Sequence, residues 1–216
     1  MRSNKGVCAL VLPLALGACG GMPTGEPLQG AAPQNLITHS MVNPLACLTM
    51  GFGCAAFASA TEIADGWAAT PHHAFMPWSA DDYPKDAPGM DLVLYQTTEA
   101  KPVEAGTPHD GDAVMLYGAS LGLDRQASGV VVEALTHAWL GGEWRLGMFI
   151  STDAAEGFSG GPVINAEGQW IGIVTDKMWL TWGPHKGMKG LFAYWAGDIL
   201  KAAHDTGAPV ARNLYQ

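Results

Sequence analysis

Glycine occupies 28 of the 216 positions and proline another 14. Inside a helix or strand each glycine costs roughly 0.5–1 kcal/mol, whereas turns use its positive φ freely. A helical bundle cannot absorb so many; a fold of short strands joined by tight turns can. Hydrophobic residues, at 48% against 14% charged, provide a sizeable core and exclude a disordered chain. All 20 acids lie after residue 19, while Arg2 and Lys5 lie before it. The remainder sets those 20 acids against 9 of the 11 bases, a net of −11. Such an acidic surface argues against nucleic acid and against anionic lipid headgroups as partners.

Residues 1–18 read as a secretory signal peptide. Arg2 and Lys5 precede an apolar stretch from Val7 to Leu16, broken only by Pro13. That stretch is about half the length a membrane-spanning helix requires, and no later segment is long and apolar enough to span. Its end, Leu16-Gly17-Ala18-Cys19, resembles the lipobox of bacterial lipoproteins. The resemblance implies lipidation at Cys19 and, because Gly20 follows instead of aspartate, an outer-membrane protein facing the periplasm. The alternative is an ordinary cleavable signal that happens to end in cysteine. Cys8 leaves with the signal, so the folded part holds only Cys47 and Cys54. Outside the cytoplasm such a pair is expected to form a disulfide, worth about 2.5 kcal/mol by loop closure. Two reduced, buried cysteines are the alternative. Residues 19–44, rich in proline and glycine without apolar periodicity, are expected to be a flexible tether. One globular domain, 45–207, and a short tail, 208–216, complete the chain.

Within that domain the apolar runs have strand length: 55–63, 67–70, 91–95, 113–116, 129–132, 143–151, 162–164, 170–175 and 191–195. Asn165-Ala166-Glu167-Gly168 reads as a hairpin loop. Only 196–206 has helical periodicity, with Ile199, Leu200, Ala202 and Ala203 apolar and Gly207 as its stop. Many short strands and one terminal helix predict an all-β sandwich or barrels.

The segment Gly157-Phe158-Ser159-Gly160-Gly161-Pro162 carries the chemistry. Glycines on both sides of a serine leave backbone N–H groups free to converge on one spot, as a nucleophile beside an oxyanion hole requires. The same residues satisfy the Gly-x-Ser-x-Gly pattern of α/β-hydrolases, but that motif needs a helix directly after the serine. Gly160-Gly161-Pro162 opposes one, and the downstream Asp198 and His204 both fall on the terminal helix pattern. A serine nucleophile also needs a base and an orienting carboxylate. Thr70-Pro71-His72-His73 follows one strand, and Asp91-Leu92-Val93-Leu94 opens another.

With those three segments in that order, the chain resembles the chymotrypsin/trypsin-like serine proteases, above all the bacterial HtrA-like branch. The resemblance covers about residues 55–200 and includes Gly118 to Leu123, Ser128 to Val131 and Gly168 to Ile173. It implies two six-stranded antiparallel β-barrels with a C-terminal helix, and a triad of His73, Asp91 and Ser159. The N–H groups of Gly157 and Ser159 are the implied oxyanion hole. His72 is then a surface residue, and Asp81, Asp82 and Asp86 serve to solvate a polar loop. Phe158 stands where many relatives carry aspartate or asparagine, and there is no Ile-Val-Gly-Gly start, so activation through a freed N-terminus is not expected. No length remains for the PDZ domains that HtrA proteins append.

Substrate-binding roles follow from the same resemblance for Asp153 and Thr175. In trypsin-like relatives an aspartate six residues before the serine sits at the base of the specificity pocket and favours Lys or Arg. Thr152-Asp153-Ala154-Ala155 equally resembles an HtrA-like segment that serves small apolar residues, and both alignments stay open. His109, His137, His185 and His204 lack metal-ligand spacing, so neither a metal nor a cofactor is expected. The expected activity is that of a lipid-anchored serine endopeptidase acting on protein or peptide substrates. A catalytically inactive binding or scaffold lipoprotein is the alternative.

Overall fold

The computed structural model describes residues 25–42, 55–74, 84–98, 101–120, 123–140, 142–154 and 157–210. Cys19, Cys47, Cys54, Asp81 and Asp82 lie outside them. Two antiparallel sheets carry the fold. The larger orders its strands β1(Glu26–Pro27), β8(Leu123–Leu140), β7(Ala113–Ser120), β10(Pro162–Asn165), β11(Trp170–Trp179), β12(Lys189–Trp195) and β9(Glu143–Thr152). Because β9 also pairs with β8, strands β7 to β12 close a six-stranded barrel, and β1 is appended outside it. The smaller sheet orders β2(Leu36–Val42), β3(Ala55–Ala64), β4(Trp67–Pro71), β6(Leu92–Gln96) and β5(Lys85–Asp86). This is the expected chymotrypsin-like pair of sheets with a terminal helix, although the first sheet shows five strands among the described residues, not six.

Side-chain alternation sorts the core into layers. On β12, Leu191 and Ala193 face the barrel interior with Leu116, Met148, Ile150 and Val163, whereas Phe192 and Tyr194 face the other way. There they meet Leu92 and Leu94 of β6 together with Ile199 and Leu200 of helix α1(Ala196–Asp205). That second layer joins the sheets and the helix. Tyr95, on the opposite face of β6, packs with Ile37, Ala60 and Ala68 inside the first sheet. The helix buries the apolar face expected of it, and Gly207, at φ 93°, donates its N–H to the His204 carbonyl at its end. Among the described residues no helix is long and apolar enough to cross a membrane.

One reading of the sequence changes. Residues 36–42, assigned above to the tether, form β2 and pair with β3 from Leu36↔Thr61 to Val42↔Ala55, with Ile37 buried. The nearby Pro33 and Pro44 masked a strand whose polar Thr38, His39 and Ser40 hide its period. Further upstream, β1 pairs Glu26 and Pro27 with Gln126 and Arg125, so the tether is already bound to the barrel at residue 26.

Candidate active site

Ser159 lies on the turn between β9 and β10, at the seam of the two sheets. Its turn is shaped by Gly157 and Gly160, at φ 93° and 89°, a region other residues rarely enter. Both sheets clasp it. From the barrel, Ala119 donates to the Gly157 carbonyl at 2.9 Å, and Gly160 donates to the Val174 carbonyl at 2.7 Å. From the first sheet, Ser59 Oγ donates to the Gly157 carbonyl at 3.0 Å and Thr61 Oγ1 to the Gly160 carbonyl at 2.9 Å. Thr70 Oγ1 in turn holds the Ser59 carbonyl at 2.8 Å. Ser59, Thr61 and Thr70 are buried, and losing the Thr61 hydroxyl strands the Gly160 carbonyl at a cost of about 1–3 kcal/mol, whereas the Gly157 carbonyl keeps its bond from Ala119 without Ser59.

The clasp by Ser59 and Thr61 is not legible in the sequence, where Thr70 figures only as the start of the histidine segment. Its only signal is two hydroxyl residues at alternate positions, Ser59 and Thr61, in a strand otherwise built mainly of alanine. Such alternation places both on one face, which proves to be the face toward the serine turn.

Phe158 explains the departure at its position. Its side chain is fully buried in the barrel core beside Val163 and Val174. The arm before β1 lies against it: a Cβ added to Gly25 would sit 2.7 Å from the ring tip. An apolar anchor thus fixes the residue before Ser159, and the adjacent Ser159 remains partly accessible. Among the described residues nothing accepts from the N–H groups of Gly157 and Ser159. A developing oxyanion requires donors left free in this way.

Register brings the histidine and aspartate segments together at one end of the first sheet. Strands β4 and β6 pair from Trp67↔Gln96 to Pro71↔Leu92, so His72 and Asp91 are the next residues at that end. His73 follows within the short 3-10 turn His72–Ala74, exposed to solvent. Asp91 is half-buried and donates its N–H to the Tyr194 hydroxyl at 2.9 Å. Burial raises the pKa of that hydroxyl, against a smaller lowering by the bond from Asp91.

The three side chains are not hydrogen-bonded to one another among the described residues. Ser159 Oγ donates instead to the Thr175 carbonyl at 3.0 Å, which brings Thr175 to the nucleophile through its backbone. His72 Nε2 stands 3.1 Å from Asp86 Oδ1, both well exposed. Asp86, read above as a loop residue, belongs to β5. Asp153 is exposed in the bend after β9, so its charge keeps its hydration. Among the described residues no three histidine, cysteine or carboxylate side chains gather as metal ligands.

Solved structures share this architecture. The MamO protease domain from Magnetospirillum magneticum is 21% identical, with TM-score 0.56 over 81% of this chain and 98% of its own. The active form of the Rv3671c protease from M. tuberculosis is 16% identical, with TM-score 0.58 over 87% and 96%. The HtrA-type protease AlgW with a tripeptide is 18% identical, with TM-score 0.54 over 82% and 61%. At these identities the likeness is one of fold. No curated protein matches the sequence. The trypsin-like peptidase domain family, however, matches residues 50–173, which include both candidate histidines, Asp91 and Ser159. That match takes in more than half of the chain, and with two sheets meeting at a glycine-flanked serine, the chain belongs to the trypsin-like peptidase domain family.

Proposed function

We propose that the protein is a serine endopeptidase. One observation carries the reading: Ser159 sits on a turn locked by both sheets, where among the described residues no acceptor meets the N–H groups of Gly157 and Ser159. In the reaction His73 takes the proton of Ser159 Oγ as the oxygen attacks the peptide carbonyl carbon. The N–H groups of Gly157 and Ser159 hold the resulting oxyanion, and Asp91 orients His73 and stabilises its positive charge. His73 then protonates the leaving amine, and water hydrolyses the acyl-enzyme by the same steps in reverse. Before attack, the hydroxyl must leave the Thr175 carbonyl that it meets here. That carbonyl is then released to the substrate. Exposed Asp153 contributes only a rim charge, worth less than about 1 kcal/mol toward a basic side chain.

The contact of His72 Nε2 with Asp86 supports His73 as the base, since it engages His72 elsewhere. His73→Ala should therefore lower kcat for peptide hydrolysis by about 10³-fold or more, with His72→Ala within about threefold of wild type. Equal losses would remove the assignment. A second reading, a catalytically inactive binding protein with a resting serine, draws on the bond from Ser159 to Thr175; a folded wild-type protein that hydrolyses no peptide would favour it.

The reading extends to a lipid anchor at Cys19 that holds the enzyme on the outer membrane facing the periplasm. Seven positions separate Cys19 from Glu26, where β1 begins, so the arm spans at most about 25 Å and keeps the barrel close to the headgroups. Wild type should partition into the detergent phase and Cys19→Ser into the aqueous phase. Wild type found wholly in the aqueous phase would remove the anchor.

A further inference from the structure

Tyr194 is a buried tyrosine in an apolar layer that a phenylalanine would fill equally well. Its ring packs edge-to-face on Phe192, centroids 5.2 Å apart, among Leu92, Leu94 and Ile199. Burying a phenol is favourable only when the hydroxyl finds a partner. The partner is the backbone N–H of Asp91, 2.9 Å away and 103 positions earlier in the chain, across the seam between the sheets.

Register connects the same tyrosine to the nucleophile. Pro162, three residues after Ser159, pairs with Ile173 on β11, and Ile173 pairs with Tyr194 on β12. Two strand spacings, about 10 Å, therefore separate Tyr194 from the end of the serine turn, and ladder hydrogen bonds fix them. Among the described residues the Asp91 carboxylate has no hydrogen bond of its own. At the point where Asp91 enters β6, the contact that ties it to the barrel is the Tyr194 hydroxyl.

We infer that Tyr194 is a positioning residue, whose hydroxyl sets the first sheet's Asp91 at its working distance from the barrel's Ser159. The inference rests on the triad reading above, because it acts through Asp91. Tyr194 touches no reacting atom; it transmits the barrel's register to the acid. A small displacement of a catalytic group costs rate far more than substrate binding.

The test uses the full chain and peptide hydrolysis at steady state. Tyr194→Phe keeps the ring and removes the hydroxyl. It should lower kcat about tenfold, leave KM within about twofold, and keep a cooperative thermal transition within a few degrees of wild type. In an Asp91→Asn background the same change should cost less than about twofold, since the group it positions is already neutral. A kcat within twofold of wild type overturns the inference, as does a loss confined to KM. So does an undiminished tenfold loss in the Asp91→Asn background. Should Asp91→Asn by itself retain wild-type kcat, the triad reading fails and takes this inference with it. A silent Tyr194→Phe beside an inactive Asp91→Asn overturns the inference alone.

Discussion

Ser159→Ala is expected to fold as the wild type does and to hydrolyse peptides about 10⁴-fold more slowly or worse. The size follows from removing a nucleophile whose neighbours remain, because the oxyanion donors and substrate contacts alone sustain only residual catalysis. Intact folding follows from the local contacts. The Ser159 side chain donates one hydrogen bond, to the Thr175 carbonyl, and among the described residues of this turn positive φ falls at Gly157 and Gly160, not at Ser159. Alanine therefore fits at 159 without strain, and the loss of one part-buried bond costs about 1 kcal/mol. Casein or peptide turnover together with thermal melting checks both halves. Turnover at the wild-type rate would remove Ser159 from the chemistry.

A second change acts on the fold that holds the serine. Gly160→Ala places a Cβ 1.7 Å from the Ser59 carbonyl oxygen and 2.7 Å from Thr70 Oγ1, at φ 89°. Ser59 is paired with Thr38 and Thr70 with Val93, and Thr70 Oγ1 is bonded to the Ser59 carbonyl, so neither obstacle can retreat freely. The turn must lift away instead, breaking the bond from Thr61 to the Gly160 carbonyl and that from Gly160 to the Val174 carbonyl. Strain at positive φ, a steric clash and two lost bonds together cost about 3–5 kcal/mol, and activity falls with them. Gly168→Ala is the control. It too has positive φ, at 80°, but open space surrounds it, so about 1 kcal/mol is expected with activity unchanged. Urea melts of the two variants separate clash from backbone strain. Equal destabilisation would mean that the Ser59 contact is not tight.

Local pattern carried most of the strand assignment. The runs at 55–63, 67–70, 162–164 and 191–195 all fall within observed strands, because each pairs apolar side chains with a nearby turn signal. The hairpin at Asn165 is likewise local: its side chain and backbone close the loop onto Gln169. Where local period breaks, legibility ends. β8 runs to Leu140, well past the 129–132 run, but register shifts near Glu133 throw its inward and outward residues out of alternation. β5 is two exposed residues, and β2 lies between prolines. At the site, the serine turn was legible because its glycines fall within two residues of the serine on both sides. The clasp by Ser59 and Thr61, and the reach of Tyr194 to Asp91, were not, since they join residues about 100 positions apart.

The central claim is that Ser159 is an activated nucleophile, and covalent labelling tests it most directly. A fluorophosphonate added to the folded wild-type protein should modify Ser159, located by mass spectrometry of the digested adduct. His73→Ala should slow that labelling by about 10³-fold, because the hydroxyl loses its base. A folded wild-type protein left unlabelled at Ser159, or one labelled no faster than His73→Ala, would contradict the claim.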